Sequence, residues 1–226
     1  MQRVSAAPHT ASANGSTQSL TRALLRCCVI AGPLYIIVGA IQVLIRPGFD
    51  VRYNVLSQMA LGDLGWIQTA NFAVCGLLVV AGAVGIGRAL HAGRGATWAP
   101  RLIGIYGAGL VGAAIFSADP GFGFPPGTPA GMPTTMSTHA LIHFALGAIA
   151  FFSIIGACFV LGRRFAKSGE RGWARYSVFT GAFFLVAFLG TASGSGLVVF
   201  TLGLWVAIAL AWVWLSAVSV RLIRGS

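Results

Sequence analysis

The sequence predicts an all-α fold: a polytopic integral membrane protein built as a bundle of six transmembrane helices, with both termini cytoplasmic. Three observations carry this reading. Hydrophobic residues make up 57% of the chain against 8% charged, and the mean hydropathy is +0.84, outside the range of soluble domains. Apolar stretches of about 20 residues, enough to cross a hydrocarbon layer about 30 Å thick, recur six times along the chain. The formal charge of +11 is gathered into short clusters beside those stretches. In a soluble chain that charge would point to nucleic acid; placed here it reads as a topology signal, and no nucleic-acid partner is expected.

Taken in order, residues 1–21 are rich in Ser, Thr and Ala and read as a flexible cytoplasmic tail. A transmembrane domain follows over 22–220, and residues 221–226 form a second cytoplasmic tail. The first span, about 24–45, contains a 19-residue apolar run from Cys27 to Ile45 with Arg22 and Arg26 ahead of it. It is longer than a signal-peptide core and no small-x-small cleavage site follows, so it is expected to be retained. The next spans fall at about 66–87, 101–117 and 139–161. In the third, Gly104, Ala108 and Gly112 recur every four residues and predict a face for close helix packing. The last two spans, 174–192 and 196–218, must be separated by a turn, because no charged residue lies between Arg175 and Arg221. One helix over that distance would run about 67 Å, more than twice the core thickness. The TASGSG stretch at 191–196 is where Ser and Gly permit the turn. Cys27, Cys28, Cys75 and Cys158 lack metal-type spacing and are expected as buried thiols. Neither a 20–50-residue repeat nor a pair of broken helices in the two halves is visible, so the inverted-repeat transporter pattern is absent.

Orientation follows from the basic residues. Thirteen of the 15 Lys and Arg residues fall before the first span, in the second and fourth loops, or after the last span, leaving Arg46 and Arg52 on the other side. The positive-inside rule then places both termini in the cytoplasm of a cell-membrane protein. The external side carries two sizeable segments, 46–65 and 118–137.

On that side lies the polar set with chemical potential. The stretch STHALIH, 137–143, sets His139 and His143 one helical turn apart, with Ser137 or Thr138 available as cap. A helix N-terminus disfavours imidazolium, so neutral rings able to bind metal or accept a proton are expected. Asp50, Asp63 and Asp119 fall on the same side, and only Glu170 is cytoplasmic. Each has a structural alternative. Asp119, before Pro120, suits a helix end and turn. Asp50, between Arg46 and Arg52, suits a local ion pair. Asp63 suits a cap on the second span, with Trp66 in the interfacial belt. The histidines suit hydrogen bonds to loop carbonyls or to Asp119. Phe122 and Phe124 in the Pro-rich GFGFPPG stretch suit a lid or an interfacial anchor.

The run NVLSQMALGDLGWIQTANF, the ADPGFGFPPG stretch and the Ser-x-His opening of the fourth span resemble the multi-pass family catalogued as domain of unknown function 998. The resemblance covers about residues 24–220. It implies a bundle of about six helices and marks Ser57, Gly62, Gly65, Asp119, Pro125 and His139 as matching positions; it transfers no reaction. A looser comparison is with zinc hydrolases of the ceramidase and progestin-receptor type, which use three histidines and an Asp where this chain offers two histidines.

These features support three functions. An enzyme acting on a lipid or isoprenoid-like substrate at the outer leaflet would use His139, His143 and Asp119 to hold a divalent ion such as zinc. Without metal, Asp119 or Asp63 would serve as acid and His139 as base. A small transporter or accessory of apolar cargo fits the lack of charge inside the spans. A structural or assembly protein would present its external loops to a partner. The oligomeric state is left open.

Overall fold

The computed structural model describes residues 9–225. Six helices account for most of it: α1 His9–Ile45, α2 Gly65–Ala89, α3 Arg94–Ile115, α4 Thr138–Lys167, α5 Arg171–Ala192 and α6 Val198–Arg224. All six are long and apolar enough to span a membrane, and every expected span has its helix. The main difference lies at the start. The first eight residues of the expected tail lie outside the described residues, and from His9 onward the chain is already helical. At 37 residues and about 1.5 Å rise per residue, α1 is longer than the bilayer core is thick.

Each helix packs on the next in sequence, and α6 returns to α1, so the bundle is a closed ring. Up-and-down connection puts the segments 46–64, 116–137 and 193–197 at one end, here the long-loop end. The other end carries the short turns 90–93 and 168–170, the start of α1 and the end of α6. Trp212 fills the middle of the ring: its ring stacks on Tyr35 of α1 at 4.5 Å between centroids and meets Tyr106 of α3 at 5.6 Å. All three side chains are buried. Ile37, Leu77, Phe179 and Val206 are exposed on the outside, as an apolar phase around the ring requires. Cys28, Cys75 and Cys158 are buried free thiols, and Cys27 is partly buried.

Small residues bring the helices together, as expected, though of the anticipated stripe only Gly112 makes a close approach. Ala108 is exposed, and Gly104 comes near only the Cβ of Ala83. The close approach of α2 and α3 is made one position earlier, at Gly76 and Gly107. A Cβ on Gly76 would lie 2.7 Å from the Gly107 carbonyl oxygen, and one on Gly107 would lie 2.8 Å from that of Gly76. Gly112 faces Leu146 of α4 instead. The four-residue period was right for a helix face, but two faces of α3 carry glycine and periodicity does not say which is nearer a neighbour.

Gly76→Ala should therefore lower the unfolding temperature in detergent, at a cost of roughly 1–3 kcal/mol from overpacking. Gly147→Ala, where an added Cβ meets nothing within 4 Å, should show no loss. Equal behaviour of the two variants would refute the α2–α3 contact as described.

Candidate functional site

At the long-loop end the two long segments lock into one another over the mouth of the ring. Arg46, the first residue beyond α1, is only 7% exposed. Its guanidinium donates to the Met59 carbonyl at 2.9 Å and to that of Leu61, and lies over the Phe124 ring at 5.1 Å. Burial lowers the Arg46 pKa from its ordinary value, and the nearby Asp63 carboxylate opposes that shift. Phe124 is 1% exposed and is also met edge-on by Phe49 at 5.0 Å. Asn54 and Gln58 knit the rest. Asn54 Nδ2 donates to the Gly121 carbonyl and to Gln58 Oε1, each at 3.2 Å. Gln58 Oε1 also accepts from the Val55 amide at the start of the 3-10 turn Leu56–Ala60. Trp205 of α6 donates to the Asn54 carbonyl at 3.1 Å, which ties this cap to the ring. Phe124 is thus a buried plug, and Phe122 stacks on Tyr53 at 6.4 Å.

The sequence-predicted acids and histidines distribute themselves around this cap. Both Asp119 carboxylate oxygens are engaged by Ser137: Oδ2 accepts from its amide at 2.7 Å and Oδ1 from its hydroxyl at 2.6 Å. The same Ser137 oxygen accepts from the Ala140 amide at 3.1 Å, so Ser137 is the α4 N-cap and Asp119 orients it. His143 is buried, with Nδ1 2.8 Å from the Phe116 carbonyl, which requires Nδ1 to carry the proton. His139 is exposed, its ring 5.5 Å from that of Phe116. Asp50 pairs with Arg52 at 2.6 Å and not with Arg46; the Arg52 hydrogen bonds hold its carboxyl below the ordinary value. Asp63 is exposed and does not cap α2, whose N-cap is Leu64 with no side-chain bond. Trp66 is exposed beside it.

Among the described residues, no three His, Cys, Asp or Glu side chains gather as a metal-ligating group. Asp119 is bound to Ser137, while His143 gives its Nδ1–H to a carbonyl and keeps Nε2 as its free nitrogen, so His139, His143 and Asp119 are not assembled as a three-ligand set. The positions marked by the family resemblance lie mostly in the two loops. Gly62 has φ +71° and would touch Pro125 at 3.3 Å with a Cβ. Gly65 abuts the Ala60 carbonyl, and Asp119 anchors α4. Ser57 lies in the 3-10 turn between them. Gly62 and Pro125 meet at the seam of the two-loop cap, Ser57 and Gly65 shape the 46–65 segment, and His139 stands apart on α4.

Directly beneath the cap lies a polar lattice that the charge-based reading passed over. Gln42 sits one turn before Arg46, and Gln68 sits in the first turn of α2; they are 1% and 0% exposed. Gln42 Nε2 donates to Gln68 Oε1 at 2.8 Å, and Asn71 Nδ2 donates to the same oxygen at 3.3 Å and to the Tyr35 carbonyl at 3.4 Å. Cys75 donates to Asn71 Oδ1 at 3.3 Å. Here Gln42 Oε1, Gln68 Nε2 and, deeper, Trp212 Nε1 are buried without a hydrogen-bond partner among the described residues. Gln68 interacts with the Tyr35 side chain, but its amide nitrogen lacks hydrogen-bond geometry to any acceptor. Each such group costs roughly 1–3 kcal/mol when left unpaired in a protein interior, and more in hydrocarbon. The signal was present in the sequence as amides inside apolar runs, Gln42 in AIQVLI and Gln68 and Asn71 in IQTANF.

Arg46→Met should strip partners from the Met59 and Leu61 carbonyls, costing about 1–3 kcal/mol for each oxygen left dry. Protease should then cut the 116–137 segment faster than in wild type. Ser137→Ala should cost about 1 kcal/mol through loss of the cap, read by thermal unfolding; unchanged cleavage and melting in both variants would contradict the cap.

A family model described as Protein of unknown function (DUF998) matches residues 29–221. No curated protein and no solved structure matches the chain.

Proposed function

The chain belongs to that family, and from that premise we propose a cell-membrane protein, termini in the cytoplasm, that binds a lipid or isoprenoid-like molecule by an uncharged polar group. The observation that carries the proposal is the pair of unpartnered amide atoms in the lattice, one acceptor at Gln42 Oε1 and one donor at Gln68 Nε2. A hydroxyl or carboxamide offers both complements and satisfies both atoms. A charged head group is disfavoured, because Gln42, Gln68, Asn71, Cys75 and Tyr35 supply no formal charge to balance it. The two-loop cap explains how such a site stays dry. The cytoplasmic placement of the termini rests on the 13 basic residues at the short-loop end against Arg46 and Arg52 at the other.

The lattice makes a direct test possible. Lipids co-purifying with the full-length protein in mild detergent would be extracted and identified by mass spectrometry, wild type beside Gln68→Leu and Gln42→Leu. The expected result is a near-stoichiometric hydroxyl- or amide-bearing amphiphile in wild type, reduced at least several-fold in both variants while thermal unfolding stays cooperative. Its absence from wild type, or its equal retention in the variants, would sink the proposal and leave the lattice as helix-to-helix glue completed by water. For orientation, a cysteine at Thr128 should react with a membrane-impermeant maleimide added to intact cells; protection until the cells are opened would reverse the topology.

The exposed imidazole supports a second, separable reading. His139 stands at the outer rim two residues from the Asp119-bound Ser137, where it would accept a proton during turnover of a lipid at the boundary. His139→Ala should then abolish turnover without changing the lipid retained by the lattice; intact activity in that variant would remove His139 from the chemistry.

A further inference from the structure

The short-loop end carries a different feature, independent of the amide lattice. Between α4 and α5 a groove of about 650 Å³ opens on the outside of the ring, lined by Phe159, Gly162, Arg163, Ala174, Arg175 and Val178 among others. Its floor is shallow because Gly162 has no side chain: a Cβ there would lie 3.0 Å from Val178 and 3.4 Å from the Ala174 carbonyl. The two helices run antiparallel across the turn 168–170, and the groove repeats the same order on both. Arg163 stands four residues before the end of α4 and Arg175 four residues after the start of α5. One turn deeper on each helix comes an aromatic ring, Phe159 on α4 and the exposed Phe179 on α5.

Both arginines are exposed, and neither side chain has a hydrogen bond, ion pair or ring partner among the described residues. That contrasts with their neighbours. Arg164 donates to the Ala92 carbonyl at 2.6 Å, and Arg221 is paired with Glu170 at 2.5 Å, which commits the single carboxylate of this end elsewhere. Lys167 and Arg171 add two further exposed cations at the tip of the same hairpin. The arrangement is two unpaired guanidinium groups near the short-loop ends of α4 and α5, with an apolar trough leading from them toward the middle of the helices. Two planar, multidentate donors suit phosphate oxygens, and basic sites of this kind between helices recruit anionic lipid head groups.

We infer that the α4–α5 groove is a binding site for an anionic phospholipid, its phosphate held between Arg163 and Arg175 and one acyl chain lying along Phe159, Val178 and Phe179. An apolar trough is superfluous for an inorganic anion, and this favours a lipid over free phosphate.

The full-length protein would be placed in nanodiscs of phosphatidylcholine with a graded fraction of phosphatidylglycerol, and annular lipid retained after detergent extraction counted by native mass spectrometry. Wild type should retain phosphatidylglycerol in preference to phosphatidylcholine and unfold at a higher temperature as its fraction rises. The preference should fall at least five-fold in Arg163→Gln/Arg175→Gln and persist in Arg26→Gln/Arg224→Gln, which removes the same charge from exposed positions outside the groove. Val178→Trp, which fills the trough and keeps every cation, should also reduce it. Equal loss in both double variants would reduce the effect to general surface charge and overturn the site. So would full stabilisation by millimolar inorganic phosphate in detergent without anionic lipid, which would make the ligand a free anion.

Discussion

In hydrocarbon a polar group has no water to fall back on, and this one constraint arranges the whole molecule. It forces the backbone into six helices, which satisfy most of their own hydrogen bonds even with Pro33 inside α1 and Pro100 inside α3. It also drives the irregular backbone to the two ends, where the longer segments must find partners for their carbonyls without help from a sheet. Arg46 solves that locally: a single guanidinium satisfies two carbonyls of the 46–64 segment and covers the Phe124 ring of the 116–137 segment. A residue that looked from its position like half of a surface ion pair is therefore the peg on which both loops hang. Its burial is tolerated because its hydrogen bonds are made and because Asp63 lies near enough to compensate part of its charge.

The same constraint decides which parts of the design could be read from the chain. Span number and order follow from run length, and the turn at TASGSG follows from how far a helix can reach, so both were legible. Helix ends were less so. The cap on α4 was narrowed to Ser137 or Thr138, and the structure selects Ser137 because Asp119, eighteen residues away, accepts its amide and hydroxyl hydrogens. No local pattern encodes that partnership. Packing faces were read with the right period and the wrong phase, as Gly107 in place of Gly104 shows, since small residues on α3 outnumber the faces that need them.

Reading chemistry from charge had a sharper limit. Carboxylates and imidazoles draw attention because they titrate, yet Asp119, Asp50 and His143 are spent on a cap, a loop pair and a carbonyl. The neutral amides of Gln42 and Gln68 carry no charge and sit in apolar runs, and they are the ones left with valences to fill. Inside a membrane an unsatisfied amide is as telling as a displaced pKa is in a soluble enzyme, because the surrounding phase makes both expensive. Among the positions shared with the family resemblance, Gly62 meets Pro125 across the two loops, while Gly65 packs on Ala60 within its own segment.

The closure of the ring by α6 against α1 has a consequence for how the molecule is made. Tyr35 emerges early in synthesis, but the Trp212 ring that stacks on it is encoded 177 positions later. Ser216, whose hydroxyl donates to the Cys28 carbonyl, arrives later still. Until then the inner face of α1, with Gln42 and Tyr35, has only α2 to shield it. The contact that closes the ring therefore spans almost the whole length of the chain, and the ring cannot close before α6 is in place.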